Sequence, residues 1–257
     1  MGVLELSIDV SWVIGFLLAL IRVGAFVIAS PIIGRSIPAT GRLAFAFAVS
    51  LAMTRPVAGM IEMGELVGAA GINVAVGATL GWLSGLIMQL FTSAGAVADL
   101  VSGLSVSMVF DPMQGGQGGV FSRMFNLTAT TMFLVAGGMG LLVGGLVSSA
   151  TLLPVEAGIS PDPALGSYMI ETANLMVRKA VELALPIMGV LLMMELALGL
   201  AARFAPQANI FLVGLPAKLL AAITVVGSSW VLFPDAMTDA QALVARSMQA
   251  AIRGLGG

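Results

Sequence analysis

Long apolar runs alternate with short polar breaks along the chain. The runs cover residues 10–33, 43–61, 66–91, 124–153, 181–202 and 210–233. Each is close to or above the roughly 20 residues that carry an α-helix across about 30 Å of hydrocarbon. None alternates with a period of two, so helices and not strands are expected. The breaks hold Pro and Gly, which end or turn helices. "PIIGRSIPATGR" breaks the first pair of runs, "LLPVEAGISPDPALG" follows the fourth and "RFAPQAN" divides the last two.

The pattern changes after the sixth run. Residues 235–253 bring Met237, Val244, Met248 and Ile252 to one side of an amphipathic helix. Asp235 is positioned to cap it, and Asp239 and Arg246 stand toward the ends that the helix dipole favours. Between Ala164 and Phe204 the strongest breaker is Pro186, and a proline can kink a helix without ending it. A continuous helix there would run on the order of 60 Å, about twice the hydrocarbon core. The predicted fold is all-α. It has six hydrophobic helical segments and a C-terminal amphipathic helix in one membrane domain, residues 1–257.

Composition narrows the function classes. Hydrophobic residues make up 59% and charged residues 9%, with a mean hydropathy of +1.07. An ordinary soluble domain carries about 25% charged residues. A net charge of −2 gives no basic footprint for nucleic acid. The chain has no cysteine, which excludes disulfides and thiolate metal sites. It has no histidine, the commonest general base and metal ligand. Ser148-Ser149 and Ser228-Ser229 therefore have no imidazole to activate them. Asp99 and Asp111 are separated by a glycine and a loop, so they do not form a carboxylate dyad. No Walker-type lysine is present. Catalytic residues, cofactors and metals are not expected. The N-terminal "MGVLELSID" carries acids and no Lys or Arg, unlike a cleavable signal peptide.

The apolar runs are poor independent spans because they carry charges. Arg22 lies in the first run, Glu62 and Glu65 between the second and third, Glu182 and Glu195 in the fifth, and Lys218 in the sixth. A charge at the centre of a membrane helix costs roughly 2.5–3.5 kcal/mol on insertion scales, so partners are expected. Glu171, Arg178 and Glu182 share one helical face, and Arg178 is spaced to pair with Glu182. Gly77, Gly81 and Gly85 form a ridge that admits a close helix neighbour, a spacing repeated at Gly64/Gly68 and Gly140/Gly144. Arg22, Glu62, Glu65, Gly77, Gly81, Gly85, Arg178, Glu182, Glu195 and Lys218 are therefore candidate contacts to other subunits. Methionines such as Met188, Met193 and Met194 read as core filler. An alternative takes Glu182 and Glu195 as proton carriers of a small-molecule transporter or other polytopic channel subunit. Against it, the chain shows no internal repeat with matching broken helices.

One break is unusual. Residues 108–121 read "MVFDPMQGGQGGVF". Asp111-Pro112 favours a turn, because proline fixes φ and disfavours helix just before it. Gly115, Gly116, Gly118 and Gly119 make the backbone permissive. Val106, Met108, Val109, Phe110 and Met113 give the segment an apolar body. It is either a plain connection or a part that changes shape.

Four stretches carry a family resemblance: "RVGAFVIASPIIGRSIPATGRLAFA", "GLSVSMVFDP" followed by Arg123, "MFLVAGGMGLLVGGLVSSATLLP" and "NIFLVGLPAKLL". In this order, across nearly the whole chain, they resemble the FliR/SctT family of type III secretion export-gate subunits. The resemblance implies one copy of this chain assembled with several FliP-like and FliQ-like subunits, beside an FlhB-like switch protein. The gate would sit in the bacterial inner membrane at the flagellar basal body and pass unfolded polypeptides. Residues 1–180 would be a FliP-like part, and residues 181–257 a FliQ-like hairpin, hinged at "RFAPQAN", with the C-terminal helix. The central loop would project into the pore and help plug it, while other components supply the energy. Met139 departs from the family pattern, where many relatives have histidine after two glycines. So does Val155-Glu156, where a small or glycine-rich continuation is usual.

Overall fold

The computed structural model describes residues 9–57, 63–104, 118–158, 162–204 and 210–256, and among them every regular element is helical. The helices are α1 (Val10–Ala29), α2 (Pro31–Ser36), α3 (Ala39–Met53), α4 (Met63–Ser102), α5 (Val120–Val135), α6 (Gly138–Leu152), α7 (Leu165–Phe204), α8 (Ile210–Ser229) and α9 (Phe233–Gly256). A 3-10 turn, Trp230–Leu232, joins the last two. The all-α expectation holds.

Local chemistry sets the boundaries. Asp9 caps α1 by accepting from the Ser11 amide at 3.0 Å. The helix stops at Ser30 because Pro31 lacks the amide that would continue it, and Pro31 instead opens α2. Asp235 lies inside the first turn of α9 and is not its cap, because that helix begins at Phe233. Its carboxylate remains near the positive end of the helix dipole. Met237, Val244, Met248 and Ile252 are all buried, as the amphipathic pattern requires.

The helices differ from the predicted runs in three places. The run at 66–91 is part of a 40-residue helix, α4. The residues from Thr92 to Ser102 include no proline, so nothing stops the helix there. The run at 124–153 is two helices, α5 and α6, because Gly137 adopts a left-handed conformation at φ 77°. The described part of the run at 43–61 gives the 15-residue α3, which Thr54 and Pro56 follow. Among the described residues, four stretches are long and apolar enough to cross a membrane: Val10–Ala29, Met63–Ser102, Leu165–Phe204 and Gly214–Gly256. A fifth appears if α5 and α6 count as one broken span. Among the described residues, five of the six hydrophobic runs thus contribute to a stretch of spanning length or to the broken pair, and the run at 43–61 contributes the shorter apolar α3. The 40-residue α7 runs through Pro186 as expected.

The chain divides into two compact units. The first comprises Met1–Leu86, Gly137–Thr172 and Gln241–Gly257, and the second Ile87–Ala136 and Ala173–Ala240. In the first, α4 lies against α1 along the predicted glycine ridge. A Cβ at Gly81 would sit 2.6 Å from the Phe26 carbonyl oxygen and 2.8 Å from the Ala29 Cβ. One at Gly77 would collide with the Arg22 carbonyl, and one at Gly85 would press on Pro31. The Ser30 and Ser84 hydroxyls, 2.8 Å apart, close the end of this seam. Phe16 bridges α1 and α3 by meeting Phe47 edge-on at 5.2 Å.

In the second unit, three rings form the centre. Phe233 packs 5.2 Å from Phe91 and edge-on to Phe125 at 4.8 Å, a geometry aromatic rings prefer. The methionine expectation holds only in part. Met53, Met88, Met176, Met237 and Met248 are buried, but Met193 is 75% exposed, and Met188 and Met194 are half-buried.

The glycine seam yields a paired prediction. Gly81→Leu forces a branched side chain into the Phe26 backbone, and overpacking of this kind costs about 1–3 kcal/mol or more. Gly140 has open space around the position a Cβ would take, so Gly140→Ala is expected to hold or raise stability through helix propensity. Thermal unfolding of the detergent-purified chain should show a lowered midpoint for the first variant alone.

Candidate functional site

The glycine-rich segment is the feature that sequence singled out, and its two ends are structurally defined. Residues Val106, Met108, Val109, Phe110, Asp111, Pro112, Met113, Gly115 and Gly116 lie outside the described residues. Gly118 and Gly119 lie within them, just before α5. On the entering side, Gly103 ends α4 with a left-handed φ of 85°, a conformation that glycine adopts at no steric cost. The Ser102 hydroxyl donates to the Asp99 carbonyl at 3.1 Å.

The returning side is held by the Asp99 side chain. Its Oδ1 accepts from the Phe121 amide at 2.9 Å, and its Oδ2 accepts from the Ser122 amide at 2.9 Å and the Ser122 hydroxyl at 2.7 Å. These are the free amides at the N-terminus of α5, whose N-cap residue, Gly119, has no side chain to satisfy them. Asp99 thus caps a helix to which it does not belong. Its charge suits the positive end of that helix, and the carboxylate is only 2% exposed.

Two glycines make the clasp possible. A Cβ on Gly119 would overlap the Asp99 carboxylate. One on Gly95 would lie 2.6 Å from the Ser122 Cα and 2.7 Å from the Phe121 carbonyl oxygen. Below the clasp, Asn126 donates to the Thr92 hydroxyl at 2.9 Å and continues the α4–α5 seam. Asp99 was not among the residues that sequence reasoning selected. The available signal was an acid in an apolar helix, followed by a helix start made of two glycines that offer no cap.

The candidate subunit contacts have different surroundings. Arg22 is fully buried. Its Nε donates to Asn73 Oδ1 at 2.7 Å, and its Nη1 donates to the Leu153 carbonyl at 2.9 Å and the Ser149 hydroxyl at 3.2 Å. Asn73 in turn donates to the carbonyls of Ala69 and Val155, both at 2.7 Å. The guanidinium therefore holds the turn after α6 through neutral acceptors from its own chain, although Nη2 has no hydrogen-bond partner. Gly77, Gly81 and Gly85 face α1 and α2 of the same chain, where a Cβ would meet Arg22, Phe26 or Pro31.

Glu62 lies outside the described residues, and Glu65 is exposed in the first turn of α4. The expected Arg178–Glu182 pair does not form. Glu182 pairs with Lys179 at 3.4 Å, and the same ammonium reaches Asp239 at 3.3 Å. Lys179 lies on the side of α7 that approaches α9, so one cation serves two acids while Arg178 stays exposed. Lys218 and Glu195 pair at 3.2 Å between α8 and α7. Among the described residues, no three His, Cys, Asp or Glu side chains gather as a metal site.

Long apolar helices, charges met by partners within the chain and a glycine-rich segment clasped at its base define an all-α membrane protein. Comparison with known proteins makes the class specific. Residues 13–243 match the family described as bacterial export proteins, family 1, and the chain belongs to that family. It is similar to the flagellar biosynthetic protein FliR of Bacillus subtilis (strain 168), at 30% identity over 210 residues, covering 79% of this chain and 81% of that protein. Against FliR of Escherichia coli (strain K12), identity is 28% over 226 residues, with 85% of each chain covered. The surface presentation of antigens protein SpaR of Shigella sonnei is 33% identical over 154 residues, 60% of this chain and 59% of that protein. The FliR/SctT resemblance is thereby family membership.

The clasp makes a local prediction. Asp99→Asn keeps the shape but loses the charge and one acceptor oxygen, a change comparable to losing a helix cap, about 1 kcal/mol. Amide hydrogen exchange at Phe121 and Ser122 should accelerate roughly five-fold, as that energy implies. Exchange around the Phe26–Gly81 seam should not change. Unchanged exchange at both amides would show that the carboxylate does not hold the α5 start.

Proposed function

We propose that this chain is a FliR-type subunit of the flagellar type III protein export gate. In this reading, residues 106–119 occlude the protein-conducting channel at rest. The carrying observation is the Asp99 clasp: a glycine-rich, apolar segment fixed at its base in a member of an export-protein family. A plug must exclude water and ions and still yield to an unfolded polypeptide. Fixed ends keep it in register, permissive glycines let it move, and Met108, Phe110 and Met113 supply soft apolar surface that adapts to irregular neighbours. Gly118 and Gly119 belong to the base of this device.

The gate reading includes one copy of this chain with FliP-like and FliQ-like subunits, next to an FlhB-like switch protein, in the inner membrane at the basal body. Residues 1–180 would take the FliP-like position, and residues 181–257 the FliQ-like hairpin with its C-terminal helix. Exposed apolar side chains on that hairpin suit contact with such neighbours or lipid. They include Met193 and Leu196, each 75% exposed, Leu220 at 68% and Ile223 at 60%. The role is structural and gating, without catalysis. A proton carrier is the weaker reading of Glu195, because that carboxylate is already engaged by Lys218.

The test deletes residues 108–116 in cells that make the complete export apparatus, leaving Asp99, Gly118 and Gly119 to close the base. The expected result is a several-fold rise in passive ion leakage across the inner membrane, with the variant still incorporated. A fully incorporated variant as ion-tight as the parent would remove the plug from the reading.

A further inference from the structure

The first unit contains a recess unrelated to the glycine-rich segment. It has a volume of about 440 Å³ and lies between the N-terminal end of α7 and the C-terminal half of α9. Asp162, Leu165 and Tyr168 line one side, and Arg246, Gln249 and Arg253 the other. That volume falls within the roughly 300–1,000 Å³ of small-molecule sites. Arg246 and Arg253 are two helical turns apart on the exposed face of α9, so both guanidiniums address the same opening.

The charges are unbalanced. Among the described residues neither arginine has an ion-pair partner, and the hydrogen bond made by their guanidiniums is one weak contact, from Arg246 Nε to the Ala242 carbonyl at 3.3 Å. The acid in the recess is committed elsewhere. Asp162 Oδ1 accepts the Ala164 amide at 2.8 Å in the turn that opens α7, and its backbone amide donates to the Gly254 carbonyl at 2.8 Å. The dipole of α9 accounts for a cation in its last turn, where Arg253 lies, but this effect fades within one turn and does not reach Arg246. Two like charges side by side along one wall of the recess favour an anion between them. Guanidinium forks match the geometry of phosphate oxygens, and the Tyr168 phenol and Gln249 amide add donors alongside.

We propose that Arg246 and Arg253 form a binding site for a phosphate group, carried by an anionic phospholipid or present as free phosphate. This inference does not rest on the gate or plug reading.

The experiment uses the full-length chain, purified with the subunits that copurify with it in lipid-depleted detergent, and native mass spectrometry. The probes are dioleoyl-phosphatidylglycerol, inorganic phosphate and a glutamate-rich peptide. The variants are Arg246→Gln/Arg253→Gln and a charge-matched control, Arg123→Gln/Arg203→Gln, which removes two exposed arginines elsewhere. One retained phosphatidylglycerol per chain is expected, with affinity at least ten-fold weaker in the first variant and unchanged in the control. Retention of inorganic phosphate with the same variant dependence, and none of the lipid, supports the site and assigns free phosphate as the source. Three results would overturn it: no retention of either phosphate probe, equal losses in both double variants, or peptide binding as tight as phosphatidylglycerol.

Discussion

In the first unit α4 and α1 meet backbone to backbone. Gly77, Gly81 and Gly85 bring α4 so near α1 that the Arg22 and Phe26 carbonyls occupy the space where side chains would begin. That approach lets Arg22, on the same helix, reach Asn73 at 2.7 Å. Once Asn73 is engaged, its amide group fixes the Val155 carbonyl and the guanidinium fixes the Leu153 carbonyl. A buried cation satisfied by neutral acceptors is costly to assemble, and removing a partner leaves a charge stranded in an apolar interior. The turn after α6 therefore depends on a glycine ridge roughly seventy residues earlier in the chain.

The second unit applies the same principle at the base of the glycine-rich segment. Gly95 and Gly119 remove the side chains that would separate α4 from the start of α5, and Asp99 fills the gap with a carboxylate aimed at unpaired amides. In both units a polar side chain in an apolar helix caps or ties a backbone that lacks a partner. Without water nearby, each unpaired backbone group costs several kcal/mol, so such side chains are worth their own desolvation. That is why Arg22, Asn73 and Asp99 interrupt otherwise continuous apolar helices.

Much of this was legible in the sequence, and the gaps have physical causes. The all-α class, the continuous helix through Pro186 and the buried face of the C-terminal helix followed from periodicity and from the weak breaking power of one proline. The glycine ridge was visible, but its neighbour was not, because spacing describes one helix and says nothing of what lies against it. The break at Gly137 was missed because a single left-handed glycine can end a helix inside an apolar run without any polar punctuation. Asp99 was passed over because its partners are backbone amides of a later helix, and amides leave no mark on composition. The Arg178–Glu182 spacing was correct for a pair, yet Lys179 took the acid because it also reaches Asp239 on a different helix.

These partners change where neighbouring molecules are required. The charges in the apolar runs first appeared to need outside help, at a few kcal/mol each. Arg22 instead finds acceptors on α4 and α6, and Lys218 finds Glu195 across the α7–α8 hairpin. On the α7–α8 hairpin much of the exposed surface is apolar. Leu192, Met193, Leu196 and Leu200 of α7, and Leu220 and Ile223 of α8, are each between 48% and 75% exposed. Exposed apolar surface of this extent is not stable against water, and it marks contact with protein or lipid. Charge pairing within the hairpin thus leaves it an apolar outer face, and the demand for neighbours comes from the hydrophobic effect more than from stranded charge.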